Sequence, residues 1–207
     1  ELMTNSLPST VINQSGHMLA REAEYNFNFM KYAEELTKAM DFLGKDPRTI
    51  FIGQAVEYPG TAMSNTLKNI PKNKLYELPV AEEMQLGITN GLALNKYVPV
   101  SIFPRWNFLL LATNQLINHL DKFQVMSQGK FKTKAIIRTS IGSQRPLHPQ
   151  HQHIGDFTET FKKALTTVEV IRLDEASDIF PSYKKALTRE DGKSTILVEY
   201  GDYYNEK

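Results

Sequence analysis

Residues Lys74–Phe103 read KLYELPVAEEMQLGITNGLALNKYVPVSIF. KLYELP contains a short strand that Pro79 ends, because proline donates no ladder hydrogen bond. Residues 81–94 carry a helix pattern rich in small side chains, with Ala81, Gly87, Gly91 and Ala93. Pro99 then precedes VSIF, a second apolar strand. Strand, helix and strand in this order form the repeating unit of a parallel sheet.

The same alternation extends in both directions. Upstream, a helix pattern begins at Phe27, with Phe29, Met30, Ala33, Leu36, Thr37, Met40 and Leu43 at intervals of three or four, and Gly44 as its C-cap. Asp46 and Pro47 turn the chain into the strand TIFIG, Thr49–Gly53, and Ser64–Leu67 is a short helix. Downstream, apolar residues spaced from Phe108 to Met126 predict one long helix. KAIIRTS (Lys134–Ser140) is a strand, and a polar loop runs from Ile141 to Gly155. Phe157–Leu165 and Asp178–Leu187 are helices, alternating with the strands Val168–Leu173 and Thr195–Tyr200. The strands are continuous apolar runs rather than half-wet alternations. That pattern predicts a three-layer α/β/α sandwich with a mostly parallel central sheet.

Composition narrows the function classes. The chain has 207 residues, 41% hydrophobic and 23% charged, enough for one substantial core. Twenty-four basic and 23 acidic side chains give a net charge of +1 without a basic stripe, which argues against nucleic acid as a partner. The absence of cysteine removes disulfides, thiolate catalysis and sulfur-ligated zinc. No apolar run is long enough for a membrane span. ELMTNSLPST has no basic segment leading into an apolar run, so the expectation is a cytoplasmic chain without a secretory signal.

Parallel α/β sheets bind ligands at the carboxyl ends of their strands. Glu82 and Glu83 open the helix there. Either both are solvated acids favoured by the helix dipole, or the turn of about 100° between them sends one toward the strand ends. Gly87 and Gly91 allow a close approach, so this helix is a candidate subunit interface. Phe103, Trp106 and Phe108 either stack on a flat heterocycle or pack in the core. The loop SIGSQRPLHPQHQH clusters His148, His151 and His153; it is either a solvated loop or a ligand site, in which Gln144, Arg145, His148, Gln150 and His151 are donors suited to an anion or an oxygen-bearing substrate better than to a soft metal. DGKS (Asp191–Ser194) precedes a strand and lacks the upstream glycine of a phosphate loop, so no nucleotide loop is read.

Taken in order, YAEELTKAM, DPRTIFIGQAV, LPVAEEMQLGITNGLAL with its VPV strand, NFLLLATNQLINHLDKF, KAIIRTSIGSQRPLHPQ, TTVEVIRLDEASD and TILVEY resemble the pyrimidine-binding domain of thiamine-diphosphate enzymes. The likeness is greatest to the β subunits of 2-oxo acid dehydrogenases and more distant to transketolase. It covers residues 32–207 and leaves 1–31 as an N-terminal extension. The resemblance implies a β-type enzyme subunit acting on a 2-oxo acid or ketose. Glu82 takes the place of the acid that hydrogen-bonds the cofactor's aminopyrimidine ring and promotes its imino tautomer. Phe108, with Trp106 beside it, matches the aromatic that stacks on that ring, and His148 matches the active-site histidine. Gln54, in GQAV, stands where the family usually has an acid. The Gly-Asp-Gly…Asn motif that holds the diphosphate through Mg²⁺ is missing, and no residue here is assigned to the metal. An α-type partner with the diphosphate-binding domain is therefore implied, in a homodimer or an α2β2 assembly. The alternative is a catalytically inactive structural or regulatory homologue that keeps the fold.

Overall fold

The computed structural model describes residues 32–58, 61–142, 144 and 148–204. The expected extension, with Phe29 and Met30 of the first helix pattern, lies outside these residues. Helix α1 occupies residues 32–44 and leads into strand β1 (Thr49–Gly53). A short helix α2 (Ala62–Asn65), strand β2 (Leu75–Glu77), helix α3 (Glu82–Leu94) and strand β3 (Val98–Ile102) follow. Next come α4 (Trp106–Leu109), α5 (Phe123–Met126) and strand β4 (Ile136–Ile141). The described chain continues through α6 (Thr158–Ala164), β5 (Glu169–Arg172), α7 (Ala176–Thr188) and β6 (Thr195–Tyr200).

The six strands form one sheet in the order β2-β1-β3-β4-β6-β5, and every pairing is parallel. Successive strand residues point to opposite faces. Accordingly Ile136 and Leu197 pack with α1, α2 and α7 on one side, whereas Ile137, Ile196 and Val198 pack with α3, α4 and α6 on the other. Two apolar layers, one on each face, make the expected three-layer sandwich. The Tyr32 hydroxyl donates to the Leu173 carbonyl and accepts from the Tyr200 N–H, both at 2.8 Å, which ties the start of α1 to the ends of β5 and β6.

The predicted single helix over 108–126 is broken instead. After α4 the chain makes a 3₁₀ turn (Leu110–Ala112) and then π-type turns (Gln115–Leu120), with the Asp121 N–H bonded to the Leu116 carbonyl. The extra residue per turn keeps Leu116 and Leu120 in the core and carries Asp121 under the α6–β5 connection. There its buried carboxylate accepts from the N–H groups of Thr166, Thr167 and Val168 at 2.9, 2.6 and 3.0 Å. Burial opposes the charged form, but the Lys122 ammonium, these amides and the Thr166 hydroxyl outweigh it. The carboxyl is thus held well below the usual range. Its stabilising contribution is complete above the unfolded carboxylate pKa of about 4 and is lost as pH falls through the depressed folded value. Asp121→Asn is therefore expected to cost about 2–3 kcal/mol at neutral pH. Urea unfolding at descending pH should show this deficit shrinking in acid, as wild-type Asp121 protonates.

Candidate active site

β1 ends at Gly53 with φ +149°, where an added Cβ would lie 2.3 Å from the Ile102 carbonyl oxygen. Only glycine lets β1 and β3 close together here. The chain then turns through residues 54–57. Glu77, at the end of neighbouring β2, accepts from the N–H groups of Ala55, Val56 and Glu57 at 2.6, 2.7 and 2.9 Å. This carboxylate-filled nest holds the turn and sets Gln54 facing the start of α3. The Gln54 Nε2 donates to the Glu82 Oε1 at 3.1 Å.

Glu82 is the first residue of α3 and only 4% exposed, whereas Glu83 faces solvent. Of the two readings of this pair, one acid in and one out is therefore the one observed. A carboxylate at a helix start gains from the dipole, and the Gln54 amide meets part of its hydrogen-bonding need in a dry position. One turn further on, the Gln85 Nε2 donates to Ser101 Oγ at 3.1 Å and to the Ile102 carbonyl at 2.9 Å. The Asn90 Nδ2 donates to the Gln115 carbonyl at 3.0 Å. These bonds fix α3 to β3 and to the π-type turns, so the Glu82 position is rigidly set.

The aromatic candidates separate. Phe103 and Trp106 are fully buried, and Trp106 stacks on Phe161 with centroids 4.9 Å apart. Trp106 therefore packs in the core, the second of the two readings open for it. It sits at the first position of α4 on the side that meets α6. Phe108, two residues on, is half-buried, with its ring 5.3 Å from the imidazole of His153.

The histidines separate too. His148 is exposed, and its Nδ1 accepts from the Gln150 N–H at 3.0 Å. It is His153 that comes beside Phe108. The Arg105 guanidinium donates to the His153 carbonyl at 3.0 Å and to the Gly142 carbonyl at 3.1 Å. Burial pushes the Arg105 pKa down, against the opposing pull of Asp202. Buried Asn107 Oδ1 and His153 Nδ1 have no hydrogen-bond partner among the described residues, and both lie beside Phe108 in chain or space. Ser143, Arg145, Pro146 and Leu147 lie outside the described residues. The sequence carried a signal for His153 in the histidine cluster. Glu77 and Arg105 act through backbone groups, which leave no mark in side-chain spacing.

The acids of Asp191–Gly192 and of Gly201–Asp202 are each held by protein groups. Asp191 is bound by the Arg189 Nε and Nη2, both at 2.7 Å, and Asp202 accepts from the Gln144 N–H at 2.5 Å. The outward side of α3 is open. A Cβ on Gly87 or Gly91 would meet nothing within 4 Å, and Val80, Met84, Ile88 and Leu111 are exposed nearby in chain or on adjoining segments.

A fully parallel sheet covered by helices on both faces, with a buried acid at the first helical turn beyond β2, defines an α/β protein. The sequence matches the family model described as transketolase, pyrimidine binding domain, over residues 29–205, and the chain belongs to that family. It is 25% identical to the pyruvate dehydrogenase E1 component subunit beta of Cyanidium caldarium, over 84% of this chain and 53% of that protein. It is 24% identical to the chloroplastic subunit beta-2 of Arabidopsis thaliana, over 97% of this chain and 48% of that protein. It is 23% identical to the 3-methyl-2-oxobutanoate dehydrogenase subunit beta of Mycobacterium tuberculosis, over 73% of this chain and 43% of that protein. The chain thus spans about half the length of these relatives. Among solved structures, a split-gene transketolase, described as an inactive beta4 tetramer, superposes with a TM-score of 0.62 at 18% identity. That match covers 81% of this chain and 50% of the other. Among the described residues, no helix is long and apolar enough to cross a membrane.

Proposed function

We propose that the chain is the pyrimidine-binding, β-type part of a thiamine-diphosphate enzyme acting on a 2-oxo acid or ketose. The observation that carries this reading is the buried Glu82 carboxylate, held by Gln54 at the edge of an uncovered helix face. Thiamine diphosphate, when bound, supplies a carbon nucleophile that attacks a substrate carbonyl. The residues present suit its aminopyrimidine half: a dry carboxylate, a half-buried aromatic ring and polar atoms still in need of a partner.

Each side chain has a role in this reading. Glu82 would hold the aminopyrimidine ring through its carboxylate, which can keep or give up a proton there. Gln54 fixes that carboxylate without adding charge, where an acid would repel it. Phe108 offers its ring face, and Trp106 braces α4 from behind. His153, rather than His148, orients the substrate or passes it a proton, and Arg105 holds its backbone in place. The tied-up Asp191 and Asp202 favour a diphosphate and Mg²⁺ site on an α-type partner. The apolar and glycine face of α3 suits the close contact this requires, in an α2β2 or related assembly.

Titration calorimetry tests this arrangement. The chain mixed with an α-type subunit, thiamine diphosphate and Mg²⁺ is expected to bind cofactor and consume a 2-oxo acid or ketose, whereas the chain alone should bind it at least about tenfold more weakly. Equal affinity without any partner would overturn the shared site. Cofactor binding without turnover of any such substrate would favour a structural or regulatory role.

A further inference from the structure

The opposite end of the sheet carries a second constellation. Arg48 immediately precedes β1, Lys96 and Tyr97 precede β3, Lys132 and Lys134 precede β4, and Arg189 precedes β6. These four strands are consecutive in the sheet. Their amino ends therefore bring five cations around one concavity of about 430 Å³, whose lining, among the described residues, contains a single acid, Glu190. Strands of five or six residues place it about 17–20 Å from the carboxyl ends where Glu82 lies.

Ordinary structural duties account for only part of this charge. Arg48 pairs with Asp46 at 2.7 Å, and Arg189 pairs with Asp191 and Glu169 at 2.7 and 2.8 Å. Lys134 donates to the Leu187 carbonyl at 2.8 Å, which satisfies an orphan group in the last turn of α7. Lys132 reaches the Glu190 carbonyl at only 3.3 Å. No carboxylate lies within ion-pair distance of Lys96, Lys132 or Lys134 among the described residues. Burial pushes the Lys134 pKa down, and the Arg48 and Arg189 guanidiniums add to this against Asp191 and Asp46. Positive charge here is thus under-compensated, and Lys96 and Lys132 are exposed. Tyr97, also part of the lining, adds an exposed aromatic ring.

We infer that this concavity is an anion site for a small phosphate-bearing molecule, separate from the site at the carboxyl ends and independent of the function proposed above. Its size is that of a small-ligand pocket. Lysines at its mouth and arginines at its wall suit several phosphate oxygens at once.

Calorimetry on the full chain with inorganic pyrophosphate, in parallel with ADP, is the test. Pyrophosphate is expected to bind with an affinity that falls several-fold as salt rises. In Lys96→Gln/Lys132→Gln it should bind about tenfold or more weakly. Tighter binding of ADP than pyrophosphate, lost in Tyr97→Leu, would identify a nucleotide as the source of the phosphate. Equal weakening of both ligands would identify the phosphate alone. Both variants change exposed residues, and an unshifted thermal midpoint without ligand confirms their folding. No pyrophosphate binding at low salt, or binding unaffected in Lys96→Gln/Lys132→Gln, would overturn the proposal.

Discussion

Glu82→Gln is expected to lower turnover of the reconstituted enzyme by about 10²–10⁴-fold, the usual worth of a positioned acid–base group. The amide keeps the volume of the side chain and can still bond to Gln54, whose amide presents both donor and acceptor. What it loses is the ability to exchange a proton with a ring nitrogen. Thermal unfolding should therefore stay close to wild type while single-turnover kinetics collapse. Gln54→Ala serves as the companion variant. It leaves Glu82 in place with a solvated gap beside it, so a smaller loss of about tenfold is expected. Turnover in Glu82→Gln close to wild type would remove this residue from the chemistry and leave the fold assignment standing.

Arg138→Leu is expected to destabilise the domain by about 3–5 kcal/mol. Arg138 lies midway along β4, and Glu199 lies on adjacent β6; both are fully buried. The Arg138 Nε and Nη2 donate to the two Glu199 carboxylate oxygens at 2.6 and 3.0 Å. The hydroxyls of Tyr183 and Tyr204 donate to the same carboxylate. Burial, and then the Glu199 charge, push the Tyr183 pKa well up, which keeps that hydroxyl a donor. Removing the guanidinium strands a carboxylate in the layer between the sheet and α7. Replacing the three fully buried members together differs in sign, because desolvation of both charges is then avoided. Arg138→Met/Glu199→Leu/Tyr183→Phe should regain most of the lost stability. Urea midpoints of the two variants decide the matter. A loss below about 1 kcal/mol in Arg138→Leu would mean that water reaches Glu199.

The same cluster shows where reading a sequence stops. KAIIRTS reads as a buried strand despite its arginine, since the surrounding residues are apolar. Nothing near Arg138 in sequence names Glu199 as its partner, sixty-one positions away. The histidines behave alike. A resemblance by motif pointed to His148, whereas the folded chain brings His153 against Phe108. The aromatic pair Trp106 and Phe108 had equal standing by spacing, and a half-turn of helix sends one into the core and leaves the other half-buried beside His153. The long apolar pattern over 108–126 predicted one helix, yet Asp121 draws the chain into π-type turns to reach three backbone amides.

By itself the sequence determined the architecture. Apolar runs of strand length, helix-spaced stripes and glycine or proline punctuation are local signals, and burying them admits few arrangements other than a covered parallel sheet. It also determined that the acid opening α3 stands at the strand ends. Only the tertiary structure decided which of two adjacent glutamates turns inward, which aromatic and which histidine lie against each other, and which cations gather at the far end of the sheet. Those outcomes depend on contacts between residues remote along the chain, where angles of a few tens of degrees and distances of a few ångströms separate a core residue from a working one.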